Sequence, residues 1–472
     1  MGLQIALSTA RNALLATSTQ IAVASRNISG ASDTGYSRKI ATLVTGGGTA
    51  QVVITRAGDQ ALFDRKLTAT SDEAASAAKL DALKTLSQTV GDTADVTSPA
   101  ARLGTLNAAL IAAANQPDSS DLARTAVDAA GDLAASLNGA AATVKSVRME
   151  ADASIAASVA TINDLLGKFD AANGVVIRGT ALGLDITDSL DDRDRILTQL
   201  SAVMGIATTT RPDGGMAIYT DSGATLYERG PRAVTFNPSP ALGSGALGNA
   251  VYVDGVAVTG ANAPMPLRSG RIAGLTALRD DTALEYGRQL DSVATGLVAA
   301  FAETDPTTVP ASTVAGLFTG SSAASLAVAP RVDPRQGGAV TRLRDGGIAS
   351  AATVVNAAGE TAYAGRLKTL VDNLGTARSL GAGTAVASSA TLAGFASASA
   401  GWLSQQRKEA DSDATYQSTL LSRASDALSN VAGVNGDDET ALTLQLEHSY
   451  TASAKIITVV DQLLKTLMDA VR

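Results

Sequence analysis

Cysteine is absent from the 472 residues of the chain. Disulfides, thiolate nucleophiles and cysteine-ligated metals are excluded with it. The lack suits a protein that passes to an oxidising exterior. Histidine occurs once, as His448, so no histidine pair can hold a metal and no second histidine can complete a relay. A Ser-His-Asp arrangement would have to work from the last helix, and a surface or interface role fits His448 better. Aromatic residues are only 3% of the chain, which leaves little for a ring-filled core. Lys and Arg number 37 against 45 Asp and Glu, a net charge of -8. A phosphate backbone needs clustered cations, so no nucleic-acid partner is expected. No segment has the 18 or more uninterrupted apolar residues of a membrane span, so no membrane insertion is expected. The N-terminus lacks a basic region and Arg11 interrupts its apolar stretch, so no cleaved signal peptide is expected. There is no GxxxxGK[ST] and no GxGxxG after a strand. Glycines 46–48 precede no lysine and open no helix, so they read as a connector. No cofactor is expected, and no catalytic constellation emerges.

What the chain does have is helix former. Hydrophobic residues make up 45%, dominated by Ala and Leu, which favour slim, closely packed helices. Leu3, Leu7, Ala10, Leu14, Thr17, Ile21, Ala24 and Ile28 alternate in steps of four and three, a heptad stripe over about 39 Å of helix. Asn27-Ile28-Ser29-Gly30 stops it. Residues 31–57 read as loop and short strand around Gln51-Val52-Val53-Ile54-Thr55. Helix returns at 59–90, after Ser98-Pro99, over 119–169 and over 188–204, where Leu190, Ile196, Leu197, Leu200 and Val203 form the apolar face. Between 205 and 267, Arg211-Pro212-Asp213-Gly214-Gly215 and Asp254-Gly255 mark hairpins. Helix is expected again at 271–302, loops with short strands at 303–358, and helices at 384–430 and 439–471. The last helix carries a second stripe: Leu442, Leu446, Ser449, Ser453, Ile456, Val460, Leu463, Leu467 and Ala470.

The fold class expected is mainly α with inserted β domains. A long antiparallel helical bundle forms from both chain ends, with coiled-coil-like terminal helices and an outer β domain. The expected division is 1–58 with 431–472 as a terminal helical core; 59–204 with 268–302 and 380–430 as a bundle; 205–267 as an inserted β domain; and 303–379 as a loop-rich segment. The carboxylates Asp185, Asp188, Asp191, Asp192 and Asp194 lack the spacing of a calcium loop. They read as helix capping and surface pairing, with Arg193 and Arg195 balancing the charge. Asp437-Asp438-Glu439 reads the same way, and no metal site is expected.

Several segments resemble bacterial flagellar axial proteins. Ser25-Arg26-Asn27-Ile28-Ser29 and Thr34-Gly35-Tyr36-Ser37-Arg38 look like that group's N-terminal elements, with Gly30 where Asn is common. Val434-Asn435, Asp437-Asp438-Glu439, Leu446, Tyr450 and Ala452-Ser453-Ala454 resemble its C-terminal element. Leu190-Asp191-Asp192-Arg193-Asp194, then Asp213-Gly214 and Ile218-Tyr219-Thr220, are similar to the centre of the first hook-associated proteins (the FlgK family). So are Ser269-Gly270-Arg271-Ile272-Ala273-Gly274-Leu275 with Arg279-Asp280, and Gly316-Leu317-Phe318 before Val332-Asp333-Pro334. The resemblance implies a structural subunit joining hook to filament. It implies export, unfolded and uncleaved, through the flagellar type III apparatus to an extracellular location, with an outward-facing β insertion. The partners implied are copies of itself in a ring, the hook protein, the third hook-associated protein and an export chaperone. The candidate assembly interface is Leu3, Leu7, Leu14, Ile21, Asn27, Ile28, Gly35, Tyr36, Leu442, Leu446, Tyr450, Ile456, Val460, Leu463 and Leu467. The alternative is another axial protein, the hook protein or the third hook-associated protein. A peptidoglycan hydrolase or a cytoplasmic coiled-coil adaptor fits less well, because the catalytic groups are missing and the β insertion interrupts a simple rod.

Overall fold

A computed structural model describes residues 2–46, 49–90 and 95–470. The first helix, α1 (Gly2–Gly30), leads into an antiparallel hairpin of β1 (Lys39–Gly46) and β2 (Thr49–Arg56). Its register runs from Lys39 opposite Arg56 to Gly46 opposite Thr49. Sequence patterning foresaw one short strand here. The second strand, Lys39-Ile40-Ala41-Thr42-Leu43-Val44, is equally rich in β-branched and apolar residues. Gly47 and Gly48 lie outside the described residues.

Four helices follow: α2 (Gln60–Val90), α3 (Pro99–Asn115), α4 (Ser120–Leu182) and α5 (Thr187–Val203). Ser98 caps α3 by accepting from the Ala101 amide at 3.3 Å, with Pro99 at the first helical position. Helix α4 runs thirteen residues beyond the expected end at 169. Val176 and Gly179 keep its buried stripe going, and Gly183 closes it in a left-handed conformation.

The β insertion holds β3 (Ile206–Thr210), β4 (Met216–Thr220) and β5 (Thr225–Tyr227) in one sheet. A second sheet holds β6 (Val234–Thr235), β7 (Tyr252–Val253) and β8 (Val256–Ala257). Both expected hairpins are present. The Arg211 amide donates to the Gly215 carbonyl at 2.7 Å across the first turn. Asp254 and Gly255, with φ of 50° and 81°, make the second. The insertion is less separate than a lobe facing outwards would be. Ile206, Met216, Ile218, Leu226, Tyr227, Val234, Val251 and Val253 all join the helical core, and Tyr227 meets Phe169 edge-on at 4.9 Å.

The stretch expected as one helix over 271–302 is α6 (Arg271–Ala277), a π turn over Leu278–Thr282 and α7 (Ala283–Ala300). Short strands β9 (Glu303–Asp305), β10 (Ser312–Val314), β11 (Phe318–Thr319) and β12 (Ala327–Val328) come next, then the single turn α8 (Arg342–Asp345). Helix α9 (Gly365–Gly375) was not foreseen; it buries Leu367, Leu370 and Leu374. Strands β13 (Arg378–Ser379) and β14 (Ser389–Ala390) precede α10 (Leu392–Ala432) and α11 (Gly436–Ala470).

One continuous core runs from Phe63 to Ala410 and draws on α2 to α10. Among the described residues it takes no side chain from α1 or α11. Those two helices pack on each other instead. The Arg38 amide, at the end of the loop after α1, donates to the carbonyl of Ala432, the last residue of α10 before α11, at 2.7 Å. The end of one helix and the start of the other therefore meet, so the pair is antiparallel.

Candidate assembly interface

The seam between α1 and α11 follows heptad spacing on both helices. On α1, Ala10, Thr17 and Ala24 are buried seven residues apart, with Leu7, Leu14 and Ile21 half-buried between them. The Thr17 hydroxyl donates to the Ala13 carbonyl at 2.8 Å, so its polar atom is satisfied inside the seam. Leu3 lies outside the residues whose side chains are described. On α11 the covered positions are Glu439, Thr443, Leu446, Ser453, Ile457, Val460 and Leu464. Tyr450, in the same series, is 39% exposed at its edge.

The sequence stripe on α11 lies across this seam rather than along it. Leu446 and Val460 face α1. Leu442, Ile456, Leu463 and Leu467 are exposed, Ile456 at 50%, Leu463 at 52% and Leu467 at 56%. Four residues turn a helix through about 400°, so the series 442, 449, 456 and 463 lies about 40° round from 446, 453 and 460 and makes a second face beside the first. Val459 extends it. Ile5, Leu15 and Ile28 on α1, and Ile40, Leu43, Val44 and Val53 on the hairpin, are exposed as well. Monomeric proteins rarely expose contiguous apolar surface of this kind.

Below the seam the motif residues make a polar joint. The Asn27 carbonyl oxygen accepts from the Lys39 amide at 2.8 Å and from the Tyr36 hydroxyl at 2.9 Å, while its Nδ2 donates to the Lys39 carbonyl at 2.9 Å. Tyr36 lies flat against Gly30, where a Cβ would come within 2.7 Å of the ring. Glycine rather than asparagine at position 30 is what lets the ring sit there. Burial pushes the Tyr36 phenol up to about 12. Gly35, half-buried, has its amide turned onto Asp33 at 2.8 Å.

This joint is bolted to α5 by charge. The Lys39 ammonium, fully buried, pairs with Asp191, donates to the Thr187 carbonyl at 3.2 Å and lies 4.6 Å from the Tyr36 ring centroid. Arg56 spans Asp191 at 3.1 Å and Asp194 at 2.6 Å. Arg26 reaches Asp185 at 3.1 Å and Asp188 at 2.7 Å, and Arg195 reaches Asp33 at 3.1 Å. Arg38 pairs with buried Glu439 at 2.6 Å. Asp185 also accepts from the amide and hydroxyl of Thr187, the first residue of α5, at 3.0 and 2.6 Å. Burial opposes ionisation of Asp185, but the Thr187 and Arg26 bonds outweigh it and hold the carboxyl below its ordinary value. Asp194 goes the other way: burial outweighs Arg56 and raises it.

Two readings of the acidic cluster are corrected here. Asp191 is buried, not a surface partner. Arg193 is buried rather than on the surface: it feels the charge of Asp194, but its hydrogen bonds go to the Gly214 carbonyl at 2.8 Å and to Asn173 at 3.3 Å. Sequence reasoning also missed Arg26, Arg38, Lys39 and Arg56 as site residues. The signal was present: residues 26–56 hold four cations and one carboxylate, and residues 185–195 hold five carboxylates. His448 is exposed on α11. Among the described residues no group of three or more His, Asp and Glu side chains could hold a metal ion, and no helix is long and apolar enough to cross a membrane.

Residues 83–307, from within α2 through the β insertion to β9, match the family model of the flagellar hook-associated protein FlgK helical domain. Residues 427–470, the end of α10 and all of α11, match that of the flagellar basal body rod FlgEFG protein C-terminal region. Over these residues the chain is similar to flagellar hook-associated and rod proteins. Among solved structures, the flagellar hook junction protein FlgK from Burkholderia pseudomallei is similar at 18% identity and a TM-score of 0.44, over 54% of this chain and 46% of that one. The chain thus spans less than half the length of that protein. No curated protein matches it.

The other FlgK-like segments also have structural reasons. Gly270, at φ 88°, lies so close to Met204 that a Cβ would come within 2.5 Å of its Cα. Gly274 lets α6 touch α2, where a Cβ would stand 2.1 Å from the Ala75 carbonyl oxygen. Arg279, 1% exposed, ties Asp152 at 2.5 Å and Asp280 at 2.7 Å to the Asn249 carbonyl at 2.9 Å. Leu317 and Phe318 are buried, and Phe318 meets Phe301 edge-on at 5.2 Å.

Proposed function

We propose that this chain is a structural subunit joining the flagellar hook to the filament by self-assembly through its paired terminal helices. The observation that carries the reading is the two-faced α11. One apolar face is covered by α1, and a second, through Leu442, Ile456 and Leu463, is bare in the single chain. A helix whose bare apolar face adjoins its covered one, about 40–60° round from it, needs a partner on each side. Copies of the same chain supply the second partner and, repeated around an axis, close a ring.

The hook protein on one side of the ring and the third hook-associated protein on the other complete the proposed neighbours. A chaperone shields the apolar end before export, and export leaves the N-terminus uncut. The role needs no cofactor and no catalytic group. Helices of this kind gain most of their stability from packing. The bare face makes the α1–α11 pair the weakest part of the free subunit, and ordering it on assembly costs several kcal/mol of the gross interaction energy. That cost restrains polymerisation before export. Electron microscopy of cells lacking the protein tests the reading. Hooks without filaments are expected; normal filaments would overturn it.

A further inference from the structure

We propose that the charged cluster between the hairpin and α5 is an orientation clamp, which sets the angle of the α1–α11 pair on the bundle. Four observations lead to it.

The terminal unit is joined to the rest by two short covalent links, 57–59 and 433–435, and each contains a glycine, Gly58 and Gly433. Neither link is stiff enough to fix an angle. Apolar packing does not fix it either. The hydrophobic core stops short of α1 and α11, and Leu182 and Leu184, beside Asp185, are left exposed. On the other flank a cleft of about 890 Å³ opens between the 30–37 loop, Phe63 and Lys66 of α2, and Leu428 of α10. The joint is therefore unfilled on one side. Beside the Arg38–Ala432 backbone bond, most of what crosses it are ion pairs, and the central ones are buried: Lys39 at 0% and Asp191 at 5% side-chain exposure.

Apolar surfaces tolerate sliding, whereas buried charges tolerate only the geometry that pairs them. Lys39 and Arg56 leave opposite ends of one hairpin register pair and converge on Asp191. Asp194, one turn along α5, takes the other arm of Arg56. Two cations fixed to one β ladder and two carboxylates fixed to one helix face define a rotation as well as a contact. The Asn27–Tyr36–Lys39 bonds transmit it to α1, and Arg38–Glu439 transmits it to α11. Lys39, Arg56, Asp191 and Asp194 are on this view positioning residues, with no direct part in contacts to a neighbour.

The proposal concerns the single chain, so it stands or falls separately from the ring reading. Its test uses the full-length chain and spin labels on Lys455→Cys of α11 and Ala171→Cys of α4. Both sites are exposed, and the absence of native cysteine makes the labelling specific. Electron–electron double resonance should give one narrow distance for the parent. The double change Lys39→Met with Asp191→Leu replaces the buried pair by apolar groups of similar size, which buried sites often accept. It should keep the circular dichroism spectrum of the parent and lose the single narrow distance. Lys39→Arg should retain it. Should the first pair fail to fold, Arg56→Met with Asp194→Leu reads the same property at the less buried pair. A double variant that folds and keeps the parent's narrow distance would overturn the clamp.

Discussion

At the residue scale, the motif that resembles the axial proteins turns out to be a hydrogen-bonded knot. Asn27 is buried and serves three partners at once. Asn27→Ala strands the Lys39 amide and carbonyl, a loss of about 1–3 kcal/mol for each buried group left unpaired. Hydrogen exchange should show it as faster exchange of the hairpin amides, with the bundle amides unchanged. Asp185 gives a pH signature. Its folded value lies below the ordinary one, so its stabilisation is present above the ordinary value and lost as pH falls through the folded value. Acid titration of helicity should therefore show a shallower decline in Asp185→Asn than in the parent. The sequence showed the identity of these residues but not their partners. Arg26 and Asp185 are 159 positions apart, and no local periodicity reports on such a pair. Opposite charge excess in the two segments was the available hint.

At the scale of elements, periodicity located most helices and both glycine hairpins, because each is set by neighbours in sequence. It failed where tertiary packing decides. The π turn at Leu278–Thr282 places both Arg279 and Asp280 inward, which an unbroken helix read as one stripe does not anticipate. The α11 stripe was placed astride two faces because both are apolar, and only the presence of α1 separates them. Gly274 makes a sharp test of packing. Gly274→Val would drive a side chain into the Ala75 carbonyl, which belongs to a helix backbone and cannot turn aside. Overpacking of this kind costs about 1–3 kcal/mol, so thermal unfolding should move down in temperature, with no loss from the α1–α11 seam.

At the scale of the whole molecule, the chain is a bundle with a separately packed pair of ends. Deleting 441–472 removes no side chain of the Phe63–Ala410 core. Calorimetry should show the central cooperative transition intact, and assembly should be abolished. Loss of that transition would mean that the ends and the bundle fold as one. The central claim is that the bare face of α11 is where copies meet, and Leu463→Asp tests it most directly. Leu463 is half-exposed in the free chain, so the change should alter monomer stability by under about 0.5 kcal/mol. In an assembled seam the same carboxylate would be buried without a partner, which is strongly unfavourable. Asp461→Asn, two positions away on the exposed side, serves as the control. The measurement is incorporation at the hook tip together with export into the medium. Export without incorporation for Leu463→Asp, beside normal incorporation for Asp461→Asn, is the predicted result. Normal incorporation of Leu463→Asp would contradict the account.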